Sequence, residues 1–344
     1  MKAGLVGYAQ TGKTTLFNAL TGLSVATGAG RAAKANLGVL KVPDVRIDKL
    51  SAIFKPRKTI YAEVGLTDVP GPRTKGGGLD SATIQALREA DALVLVVRGF
   101  EGAEKPDPVR ELSDFAAELI LNDQIVVERR LERIVKEKGH DREKAALEKC
   151  LAVLGEGRSL RQAGLSPDDE REITSYAFLS LRPLLAVLNV GEADAAAQLP
   201  DDFAKTAKDL RIEGLLVCAS VEAEIASLPK EEQGEFLASM GIAEPASARL
   251  IRSVYHLLDY LSFFTVGEDE VRAWNVNRGD KAPRAAGRVH SDIERGFIRA
   301  EVMKYDEFIE VGSEVRMKEL GKMHVEGKEY VVQDGDILHF RFNV

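Results

Sequence analysis

Cysteines and long apolar runs are both scarce in this 344-residue chain. The two cysteines, Cys150 and Cys218, lie far apart and belong to no metal-binding motif. Their spacing argues against a disulfide framework or a zinc site and fits a reducing compartment. No apolar stretch approaches the roughly 18 residues that a membrane-spanning helix needs. The first residues also contain no apolar signal-peptide core, so we expect a cytoplasmic protein without a membrane partner.

The overall composition is that of a folded protein with more acidic than basic side chains. Hydrophobic residues make up 45% and charged residues 29% of the chain, which allows an ordinary buried core. The length of 344 residues suggests two or three domains. The formal net charge of −7 gives no bulk reason to expect nucleic-acid binding, and we expect no DNA partner.

Short apolar segments alternate with helical patterns through much of the chain. The predicted strands are Lys2–Val6, Leu37–Val42, Ala62–Val69, Ala92–Val97, Leu184–Asn189 and Leu215–Ala219. Several of them are almost entirely apolar, which is typical of strands buried on both faces of a mostly parallel sheet. The helical segments between them indicate an α/β layer fold.

A charged helical segment interrupts this alternation between about Pro106 and Leu181. Its apolar residues recur at helical spacing, namely at Ile120, Val127, Leu131 and Ile134. The pattern predicts an antiparallel helical hairpin, inserted into the α/β domain and turning near Gly139 and His140. The charges either only solvate the helix pair or form a partner-binding arm, and the sequence leaves both interpretations open.

The composition changes again after Tyr260, where glycine-punctuated β patterns begin. The predicted strands of this tail are Phe297–Val302, Lys328–Gln333 and Ile337–Asn343. We therefore predict three parts: an α/β domain over residues 1–108 and 181–261, an inserted helical domain over 109–180, and a β-rich domain over 262–344.

One glycine-rich segment carries the chemistry of phosphate binding. Residues Gly7–Thr14 match the pattern G-x-x-x-x-G-K-[ST], between a predicted strand and a predicted helix. Glycines let the backbone approach a phosphate at the helix N-terminus, Lys13 reaches the β- and γ-phosphates, and the Thr14 hydroxyl binds Mg²⁺. The predicted nucleotide contacts of this loop are Gly7, Gln10, Thr11, Gly12, Lys13, Thr14 and Thr15. The alternative is a chance glycine-rich turn, and the flanking strand and helix argue against it.

A second element, Asp68-Val69-Pro70-Gly71, lies at the end of the predicted strand Ala62–Val69. A carboxylate at this position can hold Mg²⁺ through water, and the Gly71 amide can sense a γ-phosphate. The form D-x-x-G is common in ordinary turns. At this distance behind a phosphate loop we interpret it as a switch element, with Asp68 and Gly71 as site residues.

A third element, Asn189-Val190-Gly191-Glu192, again follows a strand and is a candidate for base recognition. GTPases usually carry N-K-x-D here, whose aspartate accepts two hydrogen bonds from guanine. Val190 and Glu192 replace the lysine and the aspartate, so we expect weakened guanine selectivity and no clear exclusion of adenine. Ser220 and Val221 follow the last apolar strand and are candidates to place backbone amides against the base. An ordinary strand-to-helix loop with Ser220 as N-cap fits that segment equally well.

These elements together resemble the YchF/Obg-like ATPase subfamily of P-loop proteins over essentially the full chain. The resemblance includes ALVLVVRGFEG at Ala92–Gly102, N-x-x-E at Asn189–Glu192 and SVEAEIA at Ser220–Ala226. It is most specific in the tail, in VRAWNVNRGDKAPRAAGRVHSDIERGFIRAEV and KEYVVQDGDILHFRFNV. The resemblance implies a P-loop NTPase domain, inserted coiled-coil-like helices and a carboxyl-terminal TGS-type β-grasp domain. It also implies Mg²⁺ dependence, ATP preferred over or comparable with GTP, and a ribosome or ribosomal RNA as partner.

The chain departs from the family pattern in the first switch region, and its second switch region lacks the glutamine of Ras-type enzymes. Ala32 lies where the family's magnesium-sensing threonine would be, and no hydroxyl or carboxylate remains in residues 31–36. Pro72 follows the D-x-x-G element, where Ras-type enzymes place the glutamine that orients water. An apolar residue is usual there in the family, whereas Ala32 is not. We therefore expect a divergent member with slow hydrolysis, and we assign no catalytic residue.

Three functions compete at this level. The leading hypothesis is an ATP- or GTP-binding switch with weak Mg²⁺-dependent hydrolysis. The second is a non-hydrolysing adaptor whose bound nucleotide only fixes domain geometry for a ribosomal or protein partner, an interpretation that Ala32 favours. A small-molecule kinase ranks lowest, because the inserted segment is a charged helical hairpin and not a lid with an acceptor pocket.

Overall fold

The computed structural model describes residues 2–25, 36–71, 78–102, 104–137 and 140–343. The strands in these ranges are β1 (Lys2–Val6), β2 (Asn36–Lys41), β3 (Lys58–Ile60), β4 (Glu63–Asp68), β5 (Ala92–Arg98), β6 (Leu184–Asn189), β7 (Glu213–Val217), β8 (Tyr260–Thr265), β9 (Glu270–Asn277), β10 (Phe297–Lys304), β11 (His324–Glu326) and β12 (Asp336–Phe342). The helices there are α1 (Lys13–Thr21), α2 (Val45–Phe54), α3 (Ser81–Arg88), α4 (Pro108–Ile134), α5 (Asp141–Gly155), α6 (Pro167–Ile173), α7 (Asp201–Asp209), α8 (Ala219–Ser227), α9 (Lys230–Ser239), α10 (Ala246–Leu257), α11 (Ala282–Val289), α12 (Ser291–Arg295), α13 (Tyr305–Val311) and α14 (Glu314–Glu319).

The chain forms two compact units. The first comprises Met1–Gly38 and Gly65–Leu250, and the second comprises Val39–Val64 and Ile251–Val344. This grouping differs from the predicted boundaries by placing residues 39–64 with the carboxyl-terminal part. The physical reason is backbone pairing, because β3 runs parallel to β9 in the second sheet. The inserted helices belong to the first unit, and the division into three domains stays a prediction.

The first unit is built on a six-stranded sheet with the order β2-β4-β1-β5-β6-β7. The described pairings of β1 with β4 and β5, of β5 with β6, and of β6 with β7 are all parallel. Every residue of β5 and β6 is buried, as expected for strands covered on both faces. The predicted mostly parallel α/β sheet is thus confirmed. The loops that leave the carboxyl ends of its strands meet at one edge, where open α/β sheets bind ligands.

Most predicted strands match the observed ones within a residue or two. The prediction for Lys328–Gln333 was wrong, because only Val331 makes an isolated bridge, to Lys281. The chain turns there, since the amide of Tyr330 donates to the carbonyl of Gly327 at 3.2 Å. The strand of this region is instead the short β11, paired antiparallel with β10. Apolar residues within a turn had produced the strand-like pattern.

The predicted helical insertion is present as α4 and α5, which share a buried apolar cluster with Ile120, Val127 and Ile134. Arg130 links the two helices, because its guanidinium donates to both carboxylate oxygens of Glu143 at 2.7 and 2.9 Å. The predicted turn lies between the helices, where His140 precedes α5 and Gly139 falls outside the described residues. Across the described part of the chain, no helix combines the length and apolarity needed to cross a bilayer.

The second unit contains the predicted β-rich tail. Its six-stranded sheet has the order β11-β10-β12-β8-β9-β3. Strands β8 and β9 form an antiparallel hairpin, β12 lies parallel to β8, and β10 pairs antiparallel with β12. Helix α11 packs the alanines Ala282, Ala285 and Ala286 into the core of this sheet. The strand order β9-β8-β12-β10, with α11 packed on the sheet, is the expected β-grasp arrangement.

Candidate nucleotide-binding site

The phosphate loop connects the end of β1 at Val6 to the start of α1 at Lys13. Gly12 has φ 81°, in the left-handed region that favours glycine. A Cβ atom there would lie 2.2 Å from Nδ2 of Asn189, and one at Gly7 would lie 2.5 Å from the carbonyl oxygen of Val96. Both glycines are therefore required by the close approach of neighbouring groups. No side chain caps α1 at Gly12, so the amides of its first turn point toward an anion-binding position.

Lys13 is held by the second sequence element. Its ammonium contacts the carboxylate of Asp68 and donates to the carbonyl oxygen of Val69 at 2.7 Å. The side chains of Lys13 and Asp68 are only 13% and 7% exposed. Two residues separated by 55 positions in sequence are thus brought into direct contact at the end of parallel strands. The structure therefore assembles the predicted lysine and the predicted magnesium-binding carboxylate at one place.

Gly71 lies against the phosphate loop at Gly7. A Cβ atom at Gly71 would lie 1.7 Å from the carbonyl oxygen of Gly7, so only glycine allows the two segments to meet. Thr83, at the start of α3, fixes the segment by donating its hydroxyl to the carbonyl of Pro70 at 2.9 Å. The predicted switch features Ala32 and Pro72 lie outside the described residues.

Asn189 connects three loops of the site. Its side-chain amide donates to the carbonyl of Thr11 at 2.8 Å, and its side-chain oxygen accepts from the amide of Ala219 at 2.9 Å. Its backbone carbonyl also accepts from the amide of Gly99 at 2.7 Å. The sequence predicted Asn189 as a base-recognition residue. In the structure its side chain joins the phosphate loop to the start of α8.

The remaining predicted base contacts surround Asn189. Val190 is buried and Glu192 is exposed at the start of a short 3₁₀ helix, Glu192–Asp194. Helix α8 has Cys218 as its N-cap, so the alternative of Ser220 as N-cap was wrong. Ser220 instead lies in the first turn, with its hydroxyl 3.3 Å from the sulfur of Cys218. Val221 is buried, so only its backbone is available to a ligand.

The other loop positions of the prediction flank the lysine. Gln10 adopts φ 63° and is exposed, while Thr11 is buried and donates its hydroxyl to the carbonyl of Tyr8 at 3.2 Å. Thr14 and Thr15 lie in the first turn of α1. Their location beside Lys13 agrees with the geometry that phosphate binding requires.

Sequence reasoning missed two aromatic residues at this site, Tyr8 and Phe100. A Cβ atom at Gly12 would lie 3.9 Å from the Phe100 ring, and one at Gly191 would lie 3.8 Å from the Phe100 Cβ. The ring is therefore next to both the phosphate loop and the loop that holds Glu192. For Phe100, the sequence offered one indication, namely an aromatic residue directly after Gly99 at the end of a buried strand.

The residues present suit a Mg²⁺ ion that shares its ligands with a phosphate. Within the described residues, no group of three or more His, Cys, Asp or Glu side chains forms a metal cage. Asp68 offers one buried carboxylate and Thr14 one hydroxyl in the adjacent first turn of α1. Mg²⁺ commonly takes one or two protein oxygens and completes its shell with phosphate oxygens and water.

A parallel sheet, a glycine-lined loop that opens a helix, and a lysine at that helix start define a P-loop NTPase of the GTPase type. Residues 2–130 match the family MMR_HSR1, described as a 50S ribosome-binding GTPase, and residues 260–343 match YchF-GTPase_C, described as a protein of unknown function.

Full-length relatives make the assignment specific. The chain is 41% identical to the ribosome-binding ATPase YchF of Haemophilus influenzae, over 100% of this chain and 99% of that protein. It is 37% identical to the ribosome-binding ATPase YchF of Bacillus subtilis, over the whole of both. The solved structure of the Schizosaccharomyces pombe YchF GTPase superimposes with a TM-score of 0.90 at 29% identity, covering 99% of this chain and 97% of that one. The chain belongs to the YchF family.

Proposed function

We propose that this chain is a cytoplasmic ATP- or GTP-binding switch with slow Mg²⁺-dependent hydrolysis that associates with the ribosome. Two observations carry the proposal, namely the contact of Lys13 with Asp68 and the close approach of Gly71 to Gly7. We assign Lys13 as the phosphate-binding cation, Asp68 as the magnesium-binding carboxylate and Gly71 as the γ-phosphate sensor. Supporting the ribosomal part, the bacterial relatives are named ribosome-binding ATPases.

Nucleotide binding requires a rearrangement of the lysine. Phosphate oxygens compete with Asp68 and with the Val69 carbonyl for the Lys13 ammonium. Once Lys13 binds phosphate, the carboxylate of Asp68 is released toward the metal position. Thr14 and Asp68, the latter through water, would hold Mg²⁺, which when bound neutralises charge on the β- and γ-phosphates.

The switch step is assigned to Gly71. Its backbone lies against the Gly7 carbonyl, so a γ-phosphate on the neighbouring amides changes the position of the segment that follows Asp68. This segment is the one that orders or releases in related switch proteins. Pro72 offers no side chain that can orient water, so we expect slow intrinsic hydrolysis.

Base selection is assigned to Glu192, with Phe100 as an apolar surface beside it. The side chain of Asn189 is hydrogen-bonded to the backbone of Thr11 and Ala219. We therefore assign it to holding these loops together and not to binding the base. An aspartate at this position accepts two hydrogen bonds from guanine. The longer side chain of Glu192 disturbs the geometry of these two bonds. We therefore propose ATP over GTP, in line with the names of the bacterial relatives.

A non-hydrolysing adaptor remains the second candidate function, because Ala32 removes the hydroxyl that would close on the metal. A single-turnover assay with radiolabelled ATP and Mg²⁺ separates the two functions. Slow release of phosphate above the background without protein supports the switch, whereas bound and unconsumed ATP supports the adaptor. The matched control is Asp68→Asn, which keeps the side-chain size and removes the carboxylate charge.

The ribosomal part needs its own experiment. Sedimentation of the purified chain with 70S ribosomes, with ATP, with ADP and without nucleotide, measures association directly. Nucleotide-dependent co-sedimentation supports the proposal. Equal absence from the ribosomal pellet in all three conditions would remove the ribosome as partner and leave nucleotide binding unaffected.

A further inference from the structure

The side chain of Tyr8 leaves the phosphate loop and enters the packing of the inserted helix α4. It follows Gly7 directly, yet it is only 5% exposed. Its ring belongs to the same buried cluster as Leu112, Phe115 and Leu119, which lie on successive turns of α4. A position that the phosphate-loop pattern leaves unrestricted is therefore occupied by a large, anchored aromatic residue.

The hydroxyl of Tyr8 meets carboxylates of the same helix. Burial raises the pKa of Tyr8, and Glu118, Asp114 and Glu111 raise it further. Burial and the charge of Asp114 raise the pKa of Glu118, while the nearby Tyr8 hydroxyl opposes that rise. The phenol is thus neutral and lies close to carboxylates of α4, in surroundings where a second negative charge is unfavourable.

Helix α4 contacts a second loop of the nucleotide site. The carboxylate of Glu111 accepts a hydrogen bond from the backbone amide of Arg98 at 3.1 Å. Arg98 ends β5 and is followed by Gly99 and Phe100, which lie beside the phosphate loop and Asn189. The first turns of α4 therefore hold both the phosphate loop and the loop that carries Phe100.

The packing around this contact leaves room for movement. A cavity of about 400 Å³ lies beside Tyr8 and the start of α4, lined also by Glu104, Lys105, Asp107 and Arg110. Close-packed interiors resist displacement, whereas a helix end that borders a cavity can shift with a small loss of contacts. A shift of the start of α4 would therefore act on the ring of Tyr8, which packs in the same cluster.

We propose that Tyr8 is a positioning residue that couples the phosphate loop to the inserted helices through α4. Nucleotide affinity then depends on the position of α4, and by thermodynamic reciprocity the bound nucleotide biases α4. This gives the hairpin of α4 and α5 a direct connection to the nucleotide state. The inference rests on the proposed nucleotide binding.

A double-mutant cycle tests the contact. The variants are Tyr8→Phe, Glu118→Gln and their combination, with Glu128→Gln as control, because Glu128 is an exposed residue of α4 that pairs with Gln124. The dissociation constant for ATP with Mg²⁺ should rise roughly three- to tenfold in each single variant. The double variant should be no weaker than either single one, and Glu128→Gln should match the wild type.

Amide hydrogen exchange supplies a measurement that a merely structural role would not change. In the wild type, saturating ATP with Mg²⁺ should slow exchange across residues 108–122 by about fivefold or more. The Tyr8→Leu variant is measured at an ATP concentration that saturates this variant. The slowing of exchange across residues 108–122 should then disappear, while the amides of the phosphate loop stay protected from exchange.

Additive effects of Tyr8→Phe and Glu118→Gln, or single variants with unchanged affinity, would overturn the coupling. Equal slowing of amide exchange in α4 by ATP in Tyr8→Leu and in the wild type would also overturn the coupling. If Tyr8→Leu does not fold, Tyr8→Phe keeps the ring and carries the same exchange comparison, with a partial loss expected. A wild type that binds no nucleotide would instead overturn the proposed function, and the coupling with it.

Discussion

The ammonium of Lys13 contacts the carboxylate of Asp68, across 55 positions of sequence and with both side chains largely buried. The pair lies at the carboxyl ends of β1 and β4, which run parallel to each other. In the function that we propose, a nucleotide replaces Asp68 as the partner of the lysine. In that proposal, this contact is where nucleotide binding acts on the first unit.

Gly71→Ala tests the approach of the switch segment to the phosphate loop. The added methyl group would lie 1.7 Å from the carbonyl oxygen of Gly7, so one of the two segments must move. We expect ATP affinity to fall by roughly tenfold or more, measured by calorimetry, because the loop geometry is what binds the phosphates. The control is Gly234→Ala in α9, where a Cβ atom meets nothing within 4 Å. That control should raise the free energy of unfolding by about 0.5–1 kcal/mol and leave affinity unchanged.

Asn189→Ala tests the connection between the loops. The change removes hydrogen bonds to the Thr11 carbonyl and from the Ala219 amide and leaves these buried groups without that partner. We expect a loss of about 1–3 kcal/mol in the free energy of unfolding, measured by urea denaturation, together with weaker nucleotide binding. Asn122→Ala is the control, because that side chain is part-buried and donates to the Glu118 carbonyl of its own helix. Equal stability of the two variants would contradict the assigned role.

Glu192→Asp tests base selection. A shorter carboxylate restores the geometry that accepts two hydrogen bonds from guanine, so GTP affinity should rise relative to ATP by roughly tenfold. Dissociation constants for both nucleotides with Mg²⁺ give this ratio. Asp194→Glu in the same 3₁₀ helix should leave the ratio unchanged. If the ratio of the ATP and GTP dissociation constants is the same in Glu192→Asp and the wild type, Glu192 does not select the base.

The hairpin of α4 and α5 has a pH dependence with a defined sign. Hydrogen bonds from Arg130 lower the pKa of Glu143 to about 2, below the ordinary value of an unfolded glutamate. A depressed folded-state pKa contributes stability above the unfolded pKa, and that contribution is lost as pH falls toward the folded pKa. We therefore expect unfolding temperatures to drop between about pH 4.5 and pH 2, measured by circular dichroism. Glu143→Gln should flatten this decline, whereas Glu148→Gln, an exposed helix position paired with Lys144, should preserve it.

The sequence predicted those features of the fold and site that depend on local pattern. Buried parallel strands show as continuous apolar runs, and the phosphate loop shows as glycines and lysine at fixed spacing. The sequence could not predict that Asn189 holds the phosphate loop. Its partner Thr11 is 178 positions away, and the contact exists only after the sheet forms. The three-residue strand β3 was missed for the same reason, since its pairing with β9 is long-range. Tyr8 lies at a position that the motif leaves open, so only the packing against α4 revealed it.

The most direct test of the central claim is calorimetric titration of ATP with Mg²⁺ into the wild type, Lys13→Ala and Lys208→Ala. Lys208 is an exposed lysine of α7 and serves as the matched control. Charge-assisted hydrogen bonds contribute about 1.5–3 kcal/mol, so the dissociation constant should rise roughly ten- to hundredfold in Lys13→Ala and stay unchanged in Lys208→Ala. Equal affinity of all three proteins, or no binding heat in the wild type with either ATP or GTP, would contradict the account.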